Sequence, residues 1–127
     1  MAGVICLDTH VVVWLYAGDL ARLSPTAVEM LETDTLVISP MVELELTYLH
    51  EIGRLTVGGA NIVADLAERI GLRHSETTMT TAVRVAAGLA WTRDPFDRLI
   101  VADALAANTP LLTKDDQILA NVPLARW

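Results

Sequence analysis

The chain has 127 residues, of which 53% are hydrophobic, and its 16 acidic and 9 basic side chains give a formal net charge of −7. This length fits a single domain, residues 1–127, able to bury a core without disulfide or metal staples, and the composition excludes a disordered chain. The acidic balance argues against general binding to phosphate backbones but leaves room for a site whose acids are screened by a metal ion.

The single cysteine, Cys6, cannot form an internal disulfide, which fits a reducing cytoplasm. The opening MAGVICLDTHVVVWL has no basic segment ahead of Asp8, so no signal peptide is expected, and no apolar run is long enough to span a membrane. The first element is an apolar strand, Val4–Leu7, ended by Asp8. Asp8 or Thr9 caps a helix through HVVVWLYA that stops near Gly18. Ser24-Pro25 starts a second helix, which ends near Thr33, and Leu36–Ile38 is the next strand. Ser39-Pro40 opens a helix that ends at Gly53, and Gly58-Gly59 precedes another that ends at Gly71. Leu72–His74 reads as a strand, Glu76–Ala90 as a helix, and Asp94-Pro95 starts a strongly apolar helix. Pro110–Thr113 is a strand, Asp115–Ala120 a short helix and Val122–Ala125 a last strand. Short apolar strands alternating with helices predict βαβ units and a parallel sheet covered on both faces. Such sheets bind ligands beyond the carboxyl ends of their strands.

Acidic residues recur at those ends. Asp8 follows the first strand. In the helix after Ser39, Met41, Leu44, Glu45, Tyr48, Leu49 and Ile52 form one stripe at helical spacing, which predicts a buried face that includes Glu45 and leaves Glu43 solvated. An ionised Glu on a buried face is costly unless it is paired or binds a metal. Asp94 before Pro95 reads as a helix cap. Asp97, in the first turn of the same helix, tops the line of Val101 and Ala104. Asp103 lies on the line of Phe96 and Ile100, and its role stays open between supporting the site and pairing at an interface. In PLLTKDD, Asp115 and Asp116 are both plausible ligands, Thr113 offers a hydroxyl and Lys114 a local positive charge. Asp8, Glu45, Asp97 and Asp115 thus gather where a parallel sheet places its ligand. Hard oxygen ligands without a cysteine or histidine set suit Mg²⁺ or Mn²⁺ rather than zinc.

LDTHVVVWL, the Glu45 helix closing in GRL, DPFDRLIVADAL and LLTKD occur in this order. With them, nearly the whole chain resembles the PIN-domain ribonucleases, specifically the VapC-type toxins of bacterial toxin–antitoxin pairs. The resemblance implies a three-layer α/β/α sandwich with a five-stranded parallel sheet. It implies Mg²⁺- or Mn²⁺-dependent endonucleolytic cleavage of RNA, often of structured RNA such as tRNA. Its acidic quartet carries over to Asp8, Glu45, Asp97 and Asp115, and its supporting hydroxyl to Thr113. Thr9, Asp94, Arg98 and Lys114 are further supporting or substrate-contacting candidates. Asp103 stands where relatives often carry an uncharged polar residue. The resemblance also implies a homodimer and a cognate antitoxin whose tail covers the site. The apolar first helix, VVVWLYA, is the expected docking surface, with Trp14 facing outward.

Two other readings compete. A haloacid-dehalogenase-type phosphatase also places an Asp after its first strand, but it wants a second Asp where this chain has His10. A non-catalytic PIN-like binding module is disfavoured by the presence of all four acids. His10, His50 and His74 share no metal-ligand spacing, and His10 reads as a helix-start residue. Trp14, Trp91 and Trp127 read as packing or interface residues rather than base-stacking platforms, and Arg93, Arg98 and Lys114 as candidate phosphate contacts.

Overall fold

The computed structural model describes residues 3–127. Five strands, β1 (Val4–Leu7), β2 (Thr35–Ile38), β3 (Arg73–His74), β4 (Leu111–Leu112) and β5 (Ala125–Arg126), form one sheet in the order β3-β2-β1-β4-β5. Every pairing is parallel, with Cys6 of β1 opposite both Val37 of β2 and Leu111 of β4. Ile5, Leu7, Ile38, Leu111 and Leu112 are fully enclosed, as strands covered on both faces require. Among the described residues seven α-helices complete the three-layer sandwich: α1 (Thr9–Ala17), α2 (Pro25–Thr33), α3 (Pro40–Glu51), α4 (Gly59–Ile70), α5 (Met79–Ala86), α6 (Pro95–Ala106) and α7 (Asp116–Asn121). Among the described residues no helix is long and apolar enough to cross a membrane.

The helix starts follow local chemistry. Ser24, Ser39 and Asp94 each precede a proline at the first helical position and accept a backbone N–H from the following turn. Gly18 and Gly71 end α1 and α4 at φ near +70°, a conformation that costs glycine little. At Gly59 a Cβ would stand 2.4 Å from the Glu43 carbonyl oxygen, so α3 and α4 pack backbone against backbone there.

Three expectations need correction. The helix expected over 76–90 spans only Met79–Ala86, because the Thr78 hydroxyl caps it by accepting from the Thr81 N–H. The last strand begins at Ala125, after a turn in which the Ala125 N–H donates to the Val122 carbonyl. The largest error concerns α3. Its buried residues are Val42 and Leu46, both 0% exposed, whereas Leu44, Tyr48 and Ile52 of the apolar stripe are 54%, 47% and 50% exposed. Half of that stripe is therefore exposed, while Met41, Glu45 and Leu49 are only partly buried, and none of it is the fully enclosed face of the helix.

The order of strands sets the site. The chain moves outward from β1 through β2 to β3, then crosses back to add β4 and β5 on the other side of β1. The switch point therefore lies between β1 and β4, where the segments after the two strands diverge and leave a crevice.

Candidate active site

A cavity of about 980 Å³ opens at this switch point. Asp8, Glu45, Asp94, Asp97 and Asp115 line one part of it, from four different elements or their caps. The β1–β4 pairing fixes Asp8 beside Thr113, both almost fully buried. Asp8 accepts the Thr9 N–H at 2.8 Å through one oxygen and the Thr113 hydroxyl at 2.7 Å through the other. The Thr9 hydroxyl donates to Glu45, while Thr113 Oγ1 accepts the Asp115 N–H at 3.0 Å. Two buried threonines thus tether three acids from distant parts of the chain. Glu45 reaches the site from the flank of α3, half-buried, although half of the stripe that pointed to it is exposed.

Asp94 caps α6 by accepting from the N–H groups of Phe96 and Asp97, which fixes the first turn that carries Asp97. Asp115 caps α7 through the Ile118 N–H and lines the cavity, whereas Asp116 is exposed and does not line it. Burial raises the pKa of Asp97 first, and the charges of Asp8, Asp94, Asp115 and Glu45 raise it further, to about 7. Burial raises that of Glu45 as well, against the lowering effect of its Thr9 hydrogen bond. No lysine or arginine makes an ion pair with Glu45, Asp94, Asp97 or Asp115 among the described residues.

Other candidates fall elsewhere. The Arg98 guanidinium donates to the carbonyls of Ala86 and Ala87, tying α6 to the end of α5, so it neither lines the cavity nor pairs with Asp94. Arg93 donates to the Ala90 carbonyl. Asp103 is 3% exposed and accepts the Ser75 hydroxyl at 2.6 Å, which ties α6 to the loop after β3 and keeps it out of the site. Its charge, after burial, helps push the Cys6 thiol up to about 12. Glu43 bonds His74 at 3.0 Å. Trp14 is half-buried and lines the cavity.

Sequence reading missed Arg22 and Arg54 as cavity residues and took His10, also in the lining, for a helix-start residue rather than a substrate contact. His10 Nε2 accepts the Lys114 N–H at 2.9 Å, so the neutral ring carries its proton on Nδ1, 3.7 Å from Asp8. The only signal for His10 was its place two residues beyond Asp8, in the first turn of α1. Arg22 and Arg54 are separated from the acids in sequence, so nothing local marked them.

Comparison with known proteins fits this arrangement. The PIN domain family matches residues 5–123. The chain belongs to that family. The PIN domain here is 32% identical over 117 residues to Ribonuclease VapC22 of Mycobacterium tuberculosis, covering 90% of this chain and 88% of that one. Solved structures share the fold at 18% identity. VapBC2 from Rickettsia felis, bound to a promoter DNA fragment, has a TM-score of 0.69 and covers 98% of each chain. DNA-bound VapBC from Salmonella typhimurium has a TM-score of 0.63 and covers 99% of this chain and 96% of its own.

The residues of this PIN domain suit a hard divalent cation. The ligand atoms are all carboxylate oxygens, Thr9 and Thr113 fill only part of their lone-pair capacity, and among the described residues no lysine or arginine pairs with Glu45, Asp94, Asp97 or Asp115. Among the described residues no three metal-ligating side chains stand close enough together to encircle an ion as they are.

Proposed function

We propose that this PIN domain is a metal-dependent endoribonuclease toxin that cleaves cellular RNA, tRNA or another structured RNA, and is held inactive by a VapB-type antitoxin. The observation that carries the reading is the convergence of Asp8, Glu45, Asp97 and Asp115 on one cavity, with no lysine or arginine ion-paired to any of them among the described residues. The likeness to a protein named as a ribonuclease over 90% of the chain supports the substrate. Asp8, Glu45, Asp97 and Asp115 would hold Mg²⁺ or Mn²⁺. Such an ion binds phosphate oxygens, lowers the pKa of water and stabilises the leaving oxygen of an in-line displacement. Thr9 and Thr113 orient the carboxylates, Asp94 fixes the turn that presents Asp97, and Lys114 stands beside the site with its backbone anchored to His10. A phosphatase reading lacks support, because His10 occupies the place of its second Asp.

The same reading gives the chain protein partners. Of the large apolar side chains left exposed, Leu44, Tyr48 and Ile52 lie on α3 and Met79 and Val83 on α5, with Val4, Leu20 and Ile70 elsewhere. We place a homodimer contact on α3 and α5; on α1, the helix expected to take the antitoxin, Val11 and Val12 are buried. The experiment is incubation of the purified protein with total RNA and Mg²⁺, with sequencing of the new ends. Discrete cuts that vanish in EDTA support the reading, and full activity in EDTA overturns it. Light scattering tests the dimer, which a strictly monomeric protein would contradict.

A further inference from the structure

The cavity has a second end. Beyond the acids it is lined by His10, Val13, Trp14, Asp19, Arg22 and Arg54. His10 and Trp14 lie one helical turn apart on α1, their rings 5.0 Å apart, and Trp127 backs the indole at 5.9 Å. The Arg22 guanidinium and the Lys114 ammonium each lie over the Trp14 ring, at 5.7 and 5.9 Å. Of the 9 basic residues of the chain, Arg22 and Arg54 line this cavity, and Lys114, outside its lining, places its ammonium over the Trp14 ring. Elsewhere Arg69 is paired with Asp65 through both Nε and Nη2, and Arg93, Arg98 and Arg126 donate to nearby carbonyls. Asp19 orients Arg22 through Nε at 2.8 Å, which leaves the Nη donors for an acceptor in the cavity. Arg54 has no carboxylate within 4.0 Å among the described residues.

We propose that this end is a nucleotide subsite, in which Trp14 with His10 stacks one base of single-stranded RNA while Arg22, Arg54 and Lys114 take the adjoining phosphates. The proposal rests on the ribonuclease reading above. An aromatic face bordered by cations is the pattern by which proteins hold single strands with little regard to sequence. α1 connects the two ends, since Asp8 caps it and Trp14 follows six residues later, roughly 9 Å along the axis. The scissile phosphate then lies at the acids, and the stacked base belongs to a nucleotide flanking the cut. An apolar peptide would use little of this charge. Because Arg22 and Lys114 lie over the Trp14 ring, their side chains swing off it toward the phosphates when a base stacks there.

The test measures fluorescence anisotropy of a labelled random-sequence RNA decamer, with Mg²⁺, on the Asp97→Asn protein, which should bind without cutting. Trp14→Leu should raise Kd about tenfold. Arg22→Ala and Arg54→Ala, both on the surface and safe for folding, should each raise it about fivefold and flatten the dependence of log Kd on log salt by about 0.7. Arg69→Ala is the remote control and should change neither. Decamers made wholly of abasic sugars should lose affinity for the parent protein but not for Trp14→Leu. Unchanged Kd and salt slope in both arginine variants would overturn the subsite, even if a protein partner docks there instead. Cleavage of total RNA by the wild-type chain is scored separately. A subsite failure with RNA cleavage intact is thereby distinguished from failure of the ribonuclease reading itself.

Discussion

Asp97 and Asp103 lie six residues apart on α6 and are opposite kinds of buried acid. Asp97 is half-buried at the helix start, faces Asp8, Asp94, Asp115 and Glu45, and has its pKa pushed up to about 7. Asp103 is enclosed in the middle of the helix and accepts a short hydrogen bond from Ser75. One acid stands in surroundings that oppose its charge; the other has a donor that serves it. A carboxylate among carboxylates is unstable until a cation arrives, whereas a carboxylate with a hydroxyl is a fixed strut between α6 and the loop after β3.

The strongest way to break this contrast is Asp97→Asn, which keeps shape and removes charge. RNA cleavage should fall by at least about a hundredfold, with an unchanged circular dichroism spectrum. Activity retained in the folded variant would show that Asp97 is not at the chemistry. Glu45→Gln should also lose most cleavage, measured on the same RNA at saturating Mg²⁺.

Asp103→Ala sharpens the other half. It leaves the Ser75 hydroxyl without its acceptor and should cost about 1–3 kcal/mol in denaturant unfolding. Cleavage per folded molecule should stay within about threefold. A stable but inactive Asp103→Ala protein would place this residue in the catalytic machinery after all.

A pH scan without metal probes the charge directly. With its folded pKa at about 7 and its ordinary value at 3.8, Asp97 holds a proton in the folded state that the unfolded state has released at intermediate pH. Its contribution therefore falls as pH rises from about 4 to 7. The metal-free protein should melt a few degrees lower at pH 8 than at pH 5, and Asp97→Asn should reduce that difference. Added Mg²⁺ should raise the melting temperature more at pH 8 than at pH 6, because ligands must lose their protons to bind. The smallest effect is expected from Glu43→Gln. Glu43 pairs only with His74, and both side chains are over a third exposed, so cleavage should stay near that of the wild type.

Local sequence determined much of this protein. Ser or Asp followed by Pro marked the starts of α2, α3 and α6, since a cap side chain and a fixed φ act within one turn. The alternation of apolar strands with helices gave the parallel sheet, and residues just after strands pointed to Asp8 and Asp115. Burial was another matter. Leu44, Tyr48 and Ile52 form an apolar stripe at helical spacing, yet α3 turns Val42 and Leu46 to the core. Periodicity shows which residues share a face, not what covers that face. Only the tertiary structure decided that Thr9 and Thr113 would bridge Asp8 to Glu45 and to the Asp115 backbone, and that Asp103 would meet Ser75 while Arg98 met the end of α5. It alone brought Arg22 and Arg54 to the cavity of Asp8. Those contacts join residues far apart in the chain, and their partners are set by strand order and helix packing, which no local pattern encodes.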